Sequence, residues 1–315
     1  MKKISLFLIG LTLFYFSNAQ NGKLIDIINY SLADTNIQKL KKIDPDIEKV
    51  LSVVNFSAIT YLSDGLKIKG YVAVPKEKGV YPCIIYNRGG NKNFGALDDY
   101  ELGIIMGQIA SWGYIVAASQ YRGNMGGEGK EEFGGSDVND ILNLIPLLSH
   151  ITRTDTSRIG MYGWSRGGMM TYLTIAKTTR MKAAIIGSGA ADFFMTVAKR
   201  PDMESVLGQL VPGYNLDRDS VFKNRSAIYW VDKLCKTTPL LLMTGSADWR
   251  VTPDEQLEMV NKLYQSKHPF RFIFFEGGQH SLAEHFTEVN HAARNFLDRY
   301  VRDKIMWPSL EPHGN

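Results

Sequence analysis

The feature that most constrains this chain is a series of short, almost wholly apolar runs separated by stretches with helical spacing. The runs occupy 81–87, 114–121, 158–163, 183–189, 239–245 and 271–277. A strand with one wet face alternates apolar and polar residues. A strand covered on both faces reads as a continuous apolar run. Six such runs, interleaved with helices, predict an α/β fold: a mostly parallel sheet flanked by helices on both faces. Ahead of them, 52–62 and 66–75 alternate in strand fashion around Gly65 and predict a leading antiparallel hairpin. Ligands of open parallel sheets bind beyond the carboxyl ends of the strands, so functional residues are expected just after the apolar runs.

The first nineteen residues stand apart. Lys2 and Lys3 precede an apolar run from Ile4 to Phe16, and Ser17-Asn18-Ala19 follows. A positive start, a short greasy core and a small-x-small end predict a signal peptide at 1–19, and hence an exported protein, periplasmic or secreted. The run is shorter than the ~20 residues that span a bilayer, so no membrane anchor is expected once it is cleaved. Cleavage would halve the formal net charge of +4, which leaves no basic face for nucleic acid. A 44% hydrophobic share excludes a disordered chain, and a mean hydropathy of −0.14 excludes a polytopic membrane protein. Cys83 and Cys235 are too few for a disulfide scaffold and lack metal-site spacing. Export would allow them to oxidise, and the plainer reading is two buried thiols.

In 20–52, Ile37, Leu40, Ile43, Ile47 and Leu51 recur at three- and four-residue steps, which predicts a helical N-terminal extension. The main domain is expected over 53–303, with 304–315 as a tail. Within it the strand–helix rhythm breaks over 201–230, and this segment is expected to lie over the sheet as a lid-like insertion. A helical stripe over 282–301 closes the domain.

After the run 158–163 comes Gly163-Trp164-Ser165-Arg166-Gly167-Gly168, followed by a helical stretch. Gly-x-Ser-x-Gly between strand and helix is a nucleophile elbow: the glycines admit a turn too sharp for flanking side chains, and the serine hydroxyl stands clear. A serine needs an oriented base. Of the six histidines, only His280 follows a strand-like run and precedes a helix. His150, His268 and His313 fall in turns or the tail, and His285 and His291 on the last helix. Asp248, just after the run 239–245, is the acid best placed to orient it. Asp192 and Asp254 compete, the latter more simply as a helix-capping residue. The order Ser165, Asp248, His280 is that of α/β-hydrolases rather than of chymotrypsin or subtilisin.

These pieces together resemble the catalytic domain of the prolyl oligopeptidase family of α/β-hydrolases. The resemblance rests on QYRGNMGGEGKEEFGGSDVNDI, SRIGMYGWSRGG, PLLLMTGSADWRVTP and FFEGGQH, in that order. It implies an α/β-hydrolase fold, Ser165 as nucleophile, His280 as general base, Asp248 as its orienter, and acyl transfer through a covalent intermediate. An oxyanion hole needs two donors. One is expected from the backbone N–H of Arg166. The second should come from Arg88-Gly89-Gly90-Asn91, where better-known members resemble Tyr-Gly-Gly or His-Gly-Gly. Arg88 departs from that pattern, which leaves a backbone N–H at Arg88 or Gly89, or the guanidinium, as donor. The plainer alternative pairs Arg88 with Asp98 or Asp99. Arg122 and Gly123 also match, with Arg122 read as an ion-pair brace. Trp164, Phe193, Trp230 and Trp249 are candidates to line a substrate pocket.

No cofactor or metal is implied: Gly129-Lys130 lacks the rest of a phosphate loop, and there is no HExxH. The expected partner is a peptide or ester substrate. The length leaves no room for the β-propeller that gates the best-known members, so gating is expected from 201–230 alone. An exported peptidase leads, a carboxylesterase of acetyl- or feruloyl-ester type on the same residues is the alternative, and a non-catalytic binding protein comes last.

Overall fold

The computed structural model describes residues 20–314. The predicted leader, 1–19, lies outside them. All six apolar runs contain strands: Tyr81–Asn87 (β4), Ile115–Ser119 (β5), Thr154–Trp164 (β6), Met181–Gly187 (β7), Leu240–Gly245 (β8) and Phe270–Phe275 (β9). Three more precede them, Leu24–Tyr30 (β1), Val54–Ser63 (β2) and Leu66–Pro75 (β3). They form one nine-stranded sheet in the order β1-β2-β3-β5-β4-β6-β7-β8-β9. β1, β2 and β3 pair antiparallel and join β5 antiparallel, and from β5 to β9 every pairing is parallel.

Successive strand residues feed opposite cores. Cys83 and Ile85 belong to one buried cluster with Met161, Ile186 and Leu242. Ile84 and Tyr86 belong to the other with Tyr162, Ile185 and Leu241. This two-sided burial is why β4, β7 and β8 show no polar alternation. The last helix, Phe286–Leu297, packs Val289, Ala293 and Phe296 into the second cluster.

The N-terminal extension differs from expectation. Leu24–Tyr30 is an edge strand, not helix, so the leading hairpin β2–β3 becomes a three-stranded meander. Its side chains are mostly exposed on both faces, and an edge strand of that kind carries no burial rhythm for a sequence to display. The helical spacing further on is real but belongs to two short helices, Asp34–Leu40 and Ile47–Val53, interrupted around Pro45.

From β4 the chain moves outward to β5, then returns to β6 on the other side of β4. The crevice between the ends of β4 and β6 is therefore a topological switch point. Two glycines set its width. A Cβ on Gly167 would lie 1.9 Å from the Asn87 carbonyl oxygen at the end of β4, and one on Gly163 would lie 2.2 Å from the Gly167 carbonyl oxygen. The helix Arg166–Ile175 thus presses directly on strand backbone.

One buried carboxylate ties the far side of this edge together. Glu255, in the helix Pro253–Gln265, accepts from the backbone N–H of Ala191 and Asp192 and from the Thr196 hydroxyl. Burial pushes its carboxyl up from 4.5 to about 7 against these donors.

Gly167→Ala is expected to destabilise the fold by about 3 kcal/mol or more, because the obstructing atoms are backbone and cannot rotate away. Thermal or denaturant unfolding measures this. Glu255 holds its proton more tightly folded than unfolded, so its contribution to stability is complete below about pH 4.5 and lost as pH rises through about 7. The melting temperature should fall over that window. Glu255→Gln, whose amide can accept from the same N–H groups and donate to Thr196, should flatten part of the fall.

Candidate active site

β6 ends at Trp164 and the helix begins at Arg166, which leaves Ser165 to make the whole turn at φ +58° and ψ −123°. Such a backbone is costly for a residue with a side chain and persists only where its surroundings enforce it. Here Ser165 N–H donates to the Gly187 carbonyl at 2.9 Å. Its own carbonyl accepts from Gly168 N–H at 2.9 Å and Ala190 N–H at 3.2 Å.

Asp248 and His280 meet because their strands are neighbours. β8 and β9 pair in register to Gly245 and Phe275, so the loops beyond them leave side by side. A Cβ on Gly245 would lie 2.0 Å from the Gly278 carbonyl oxygen. His280 Nδ1 lies 2.8 Å from Asp248 Oδ2 and 3.0 Å from Oδ1. Asp248 Oδ1 also accepts from the backbone N–H of Arg250 and Val251. Burial alone would raise the Asp248 carboxyl, but His280 and these amides outweigh it and hold it below its ordinary value. The Trp164 indole N–H donates to the His280 carbonyl at 2.8 Å, fastening the histidine loop to the elbow.

Ser165, Arg166, Gly89, Gly90 and His280 line one cavity of about 280 Å³ at the carboxyl edge of the sheet. Gly89 lies against the serine: a Cβ there would lie 3.4 Å from Ser165 Cβ. Arg88 answers differently from either side-chain expectation. Its guanidinium is fully buried and donates to the carbonyls of Gln120, Gly89, Gly95 and Lys92, so it neither reaches the cavity nor pairs with Asp98 or Asp99. Burial and the nearby Arg166 charge draw it below its ordinary value. Asp99 instead accepts from Tyr30, Asn36 and the backbone N–H of Ala33.

Among the pocket candidates, Trp164 and Phe193 line the cavity and Trp230 and Trp249 do not. Trp230 donates its indole N–H to the Lys223 carbonyl. Trp249 is 61% exposed, and its ring lies 5.4 Å from the Arg200 guanidinium and 4.7 Å from that of Arg250, two residues that do line the cavity. The 201–230 segment supplies only Met203 to the lining. Phe193, Thr196 and Arg200 just before it contribute more, because the helix Phe193–Lys199 starts directly beyond β7. Asp192 caps that helix through Phe194 N–H, and Asp254 sits in the first turn of its own helix.

Several supporting groups had no sequence signal. The buried Arg166 guanidinium pairs with Glu131 and, at 2.7 Å, with Asp137, and lies over the Tyr121 and Phe133 rings. Arg122 is the expected brace: it grips buried Asp140 by side chain and backbone and reaches Asp64 at 2.8 Å. Cys83 is buried and Cys235 half-exposed, both as free thiols. Among the described residues no His/Cys/Asp/Glu cluster suits a metal, and no helix is long and apolar enough to cross a membrane.

The model of the prolyl oligopeptidase family matches residues 104–304. The chain is 32% identical over 228 residues to the uncharacterized peptidase YtmA of Bacillus subtilis (strain 168), covering 72% of this chain and 86% of that one. It is 25% identical over 207 residues to dipeptidyl-peptidase 5 of Porphyromonas gingivalis, covering 62% of this chain but 30% of the relative. Among solved structures, a Mycobacterium tuberculosis puromycin-hydrolyzing peptidase superposes with a TM-score of 0.63 at 25% identity, covering 75% of this chain and 38% of that one. The Pyrococcus horikoshii acylaminoacyl peptidase superposes with a TM-score of 0.69 at 23% identity, covering 90% and 46%. The chain thus spans less than half of either solved relative, and its described residues contain no propeller. The chain belongs to the prolyl oligopeptidase family and is a serine-type peptidase or hydrolase of α/β-hydrolase fold.

Proposed function

We propose that this protein is an exported serine peptidase that cleaves amide bonds through an acyl-enzyme on Ser165. The observation that carries the reading is the Asp248–His280 pair, whose imidazole lines the same cavity as the strained elbow serine. With Nδ1–H donated to Asp248, Nε2 is left as the base that takes the Ser165 proton. Attack on the substrate carbonyl then moves charge onto its oxygen. The Arg166 backbone N–H at the start of the helix and the Gly89 amide at the switch point are the donors that would receive it. Collapse expels the amine, which takes its proton from His280, and water repeats the cycle to free the acid.

Amide chemistry is supported by relatives whose names record peptidase activities. Export is supported by the pattern of residues 1–19, and on this reading the mature chain would work in the periplasm or outside the cell. A second reading, carboxylic-ester hydrolysis on the same residues, is favoured by one observation: no propeller among the described residues restricts entry to the cavity.

A fluorophosphonate probe should label the wild-type chain and fail to label Ser165→Ala. Ser165→Ala and His280→Ala should each lower kcat/KM by roughly a thousandfold or more. A panel of nitrophenyl esters against aminoacyl nitroanilides separates the two substrate classes, and turnover of esters alone would reject the peptidase.

A further inference from the structure

The cavity straddles the edge of the sheet, and its two sides differ. Phe133, Phe193, Met203 and Val251 belong to the first buried cluster, whereas Tyr86, Ile104, Tyr162, Leu282 and Val289 belong to the second. Ser165 stands between them. On the second side the lining holds one charged group, Glu101, in the first turn of a π-helical stretch, Glu101–Gly107. One carboxylate oxygen accepts from the Tyr86 hydroxyl, and among the described residues no lysine or arginine pairs with Glu101. Arg88, whose charge acts on Glu101, spends its N–H groups on carbonyls. Asp98, which accepts from the Glu101 N–H, adds negative charge. Burial pushes the Glu101 carboxyl up to about 7 against the Tyr86 hydrogen bond and the Arg88 charge, so the group sits in a site that penalises its charge and gives it no ion pair among the described residues.

A second observation points the same way. Tyr86, Tyr162 and Trp164 form a row of rings beside Glu101, with centroid separations of 6.1 Å and 6.3 Å, and all three line the cavity. Aromatic faces attract cations, and a carboxylate among them makes an environment suited to an ammonium or guanidinium.

The position of the base decides which part of the substrate lies there. His280 must protonate the departing group, so that group sits on the side of its own loop. Leu282 and Phe286, from that loop and the helix after it, line the cavity and pack with the cluster that holds Tyr86, the hydrogen-bond partner of Glu101. We propose that this side is the leaving-group subsite and that Glu101, with the rings of Tyr86, Tyr162 and Trp164, selects leaving groups that carry a positive charge. The proposal rests on the acyl-enzyme reading above. The cation is a lysine or arginine side chain directly after the scissile bond, or the ammonium of an amino-alcohol ester. The scissile nitrogen itself is uncharged before cleavage and cannot supply it.

The test uses the full chain with a matched set of acylated dipeptide amides that share one acyl residue and carry lysine, norleucine or glutamate after the scissile bond. A choline ester and its neutral carbon isostere make the second arm and distinguish the source of the cation. Wild type should prefer lysine over norleucine, or the choline ester over its isostere, by about tenfold in kcat/KM, and glutamate should be worst. In Glu101→Gln the ratio should fall towards one, and a ratio taken within one protein is insensitive to how much of it is folded. No preference in wild type, or a preference that Glu101→Gln retains, overturns the proposal. If nothing is hydrolysed the acyl-enzyme reading fails, and calorimetric binding of lysinamide against norleucinamide decides the subsite. Tighter lysinamide binding that Glu101→Gln abolishes upholds it, and equal binding overturns it.

Discussion

The site depends on how closely the helix Arg166–Ile175 presses against the end of β4. Only hydrogen atoms on Gly163 and Gly167 let the elbow close to contact between backbones, at Asn87 and at the helix's own first turn. That approach holds Ser165 in its costly left-handed turn. It also brings Gly89 against Ser165, with Arg166 lining the same cavity. A wider crevice would let Ser165 relax.

Closing the crevice forces two guanidinium groups underground, and they are stabilised differently. Arg166 is compensated by carboxylates, Glu131 and Asp137. Arg88 forms no ion pair among the described residues and is compensated by a ring of main-chain carbonyls, with the Glu131 and Glu101 charges acting from farther off. The Tyr121 ring lies 5.0 Å from each, and its hydroxyl donates to the Arg88 carbonyl. A buried cation without partners costs several kcal/mol, so these contacts fix the loops 88–95 and 121–137 as one unit. The position that differs from the Tyr-Gly-Gly and His-Gly-Gly loops of better-known members therefore frames the site from beneath and leaves Gly89 to face the serine.

The sheet was legible because burial on both faces writes itself into sequence as apolar runs, and β4 to β9 each overlap one of them. Ser165, Asp248 and His280 could be picked out because each follows such a run, and strand ends converge on one edge. The edge strand β1 was not legible, since exposure on both faces removes the pattern that periodicity detects. Trp230 and Trp249 misled for a related reason. Aromatic residues near a site in sequence can face a neighbouring helix or solvent, and nothing local says which.

The sequence by itself determined the alternation of buried strands and helices, the glycine-flanked serine and the order of the residues that follow the strands. These are local properties: periodicity, turn sterics and position along the chain. The tertiary structure alone decided that Arg88 turns inward, that Thr196 and Met203 reach the cavity, and that Glu101 lines it against Tyr86 with no ion pair among the described residues. Each of these depends on the distance between side chains remote in sequence and on how far each is removed from water. Charge pairing and desolvation are set by that packing, and no local pattern encodes them.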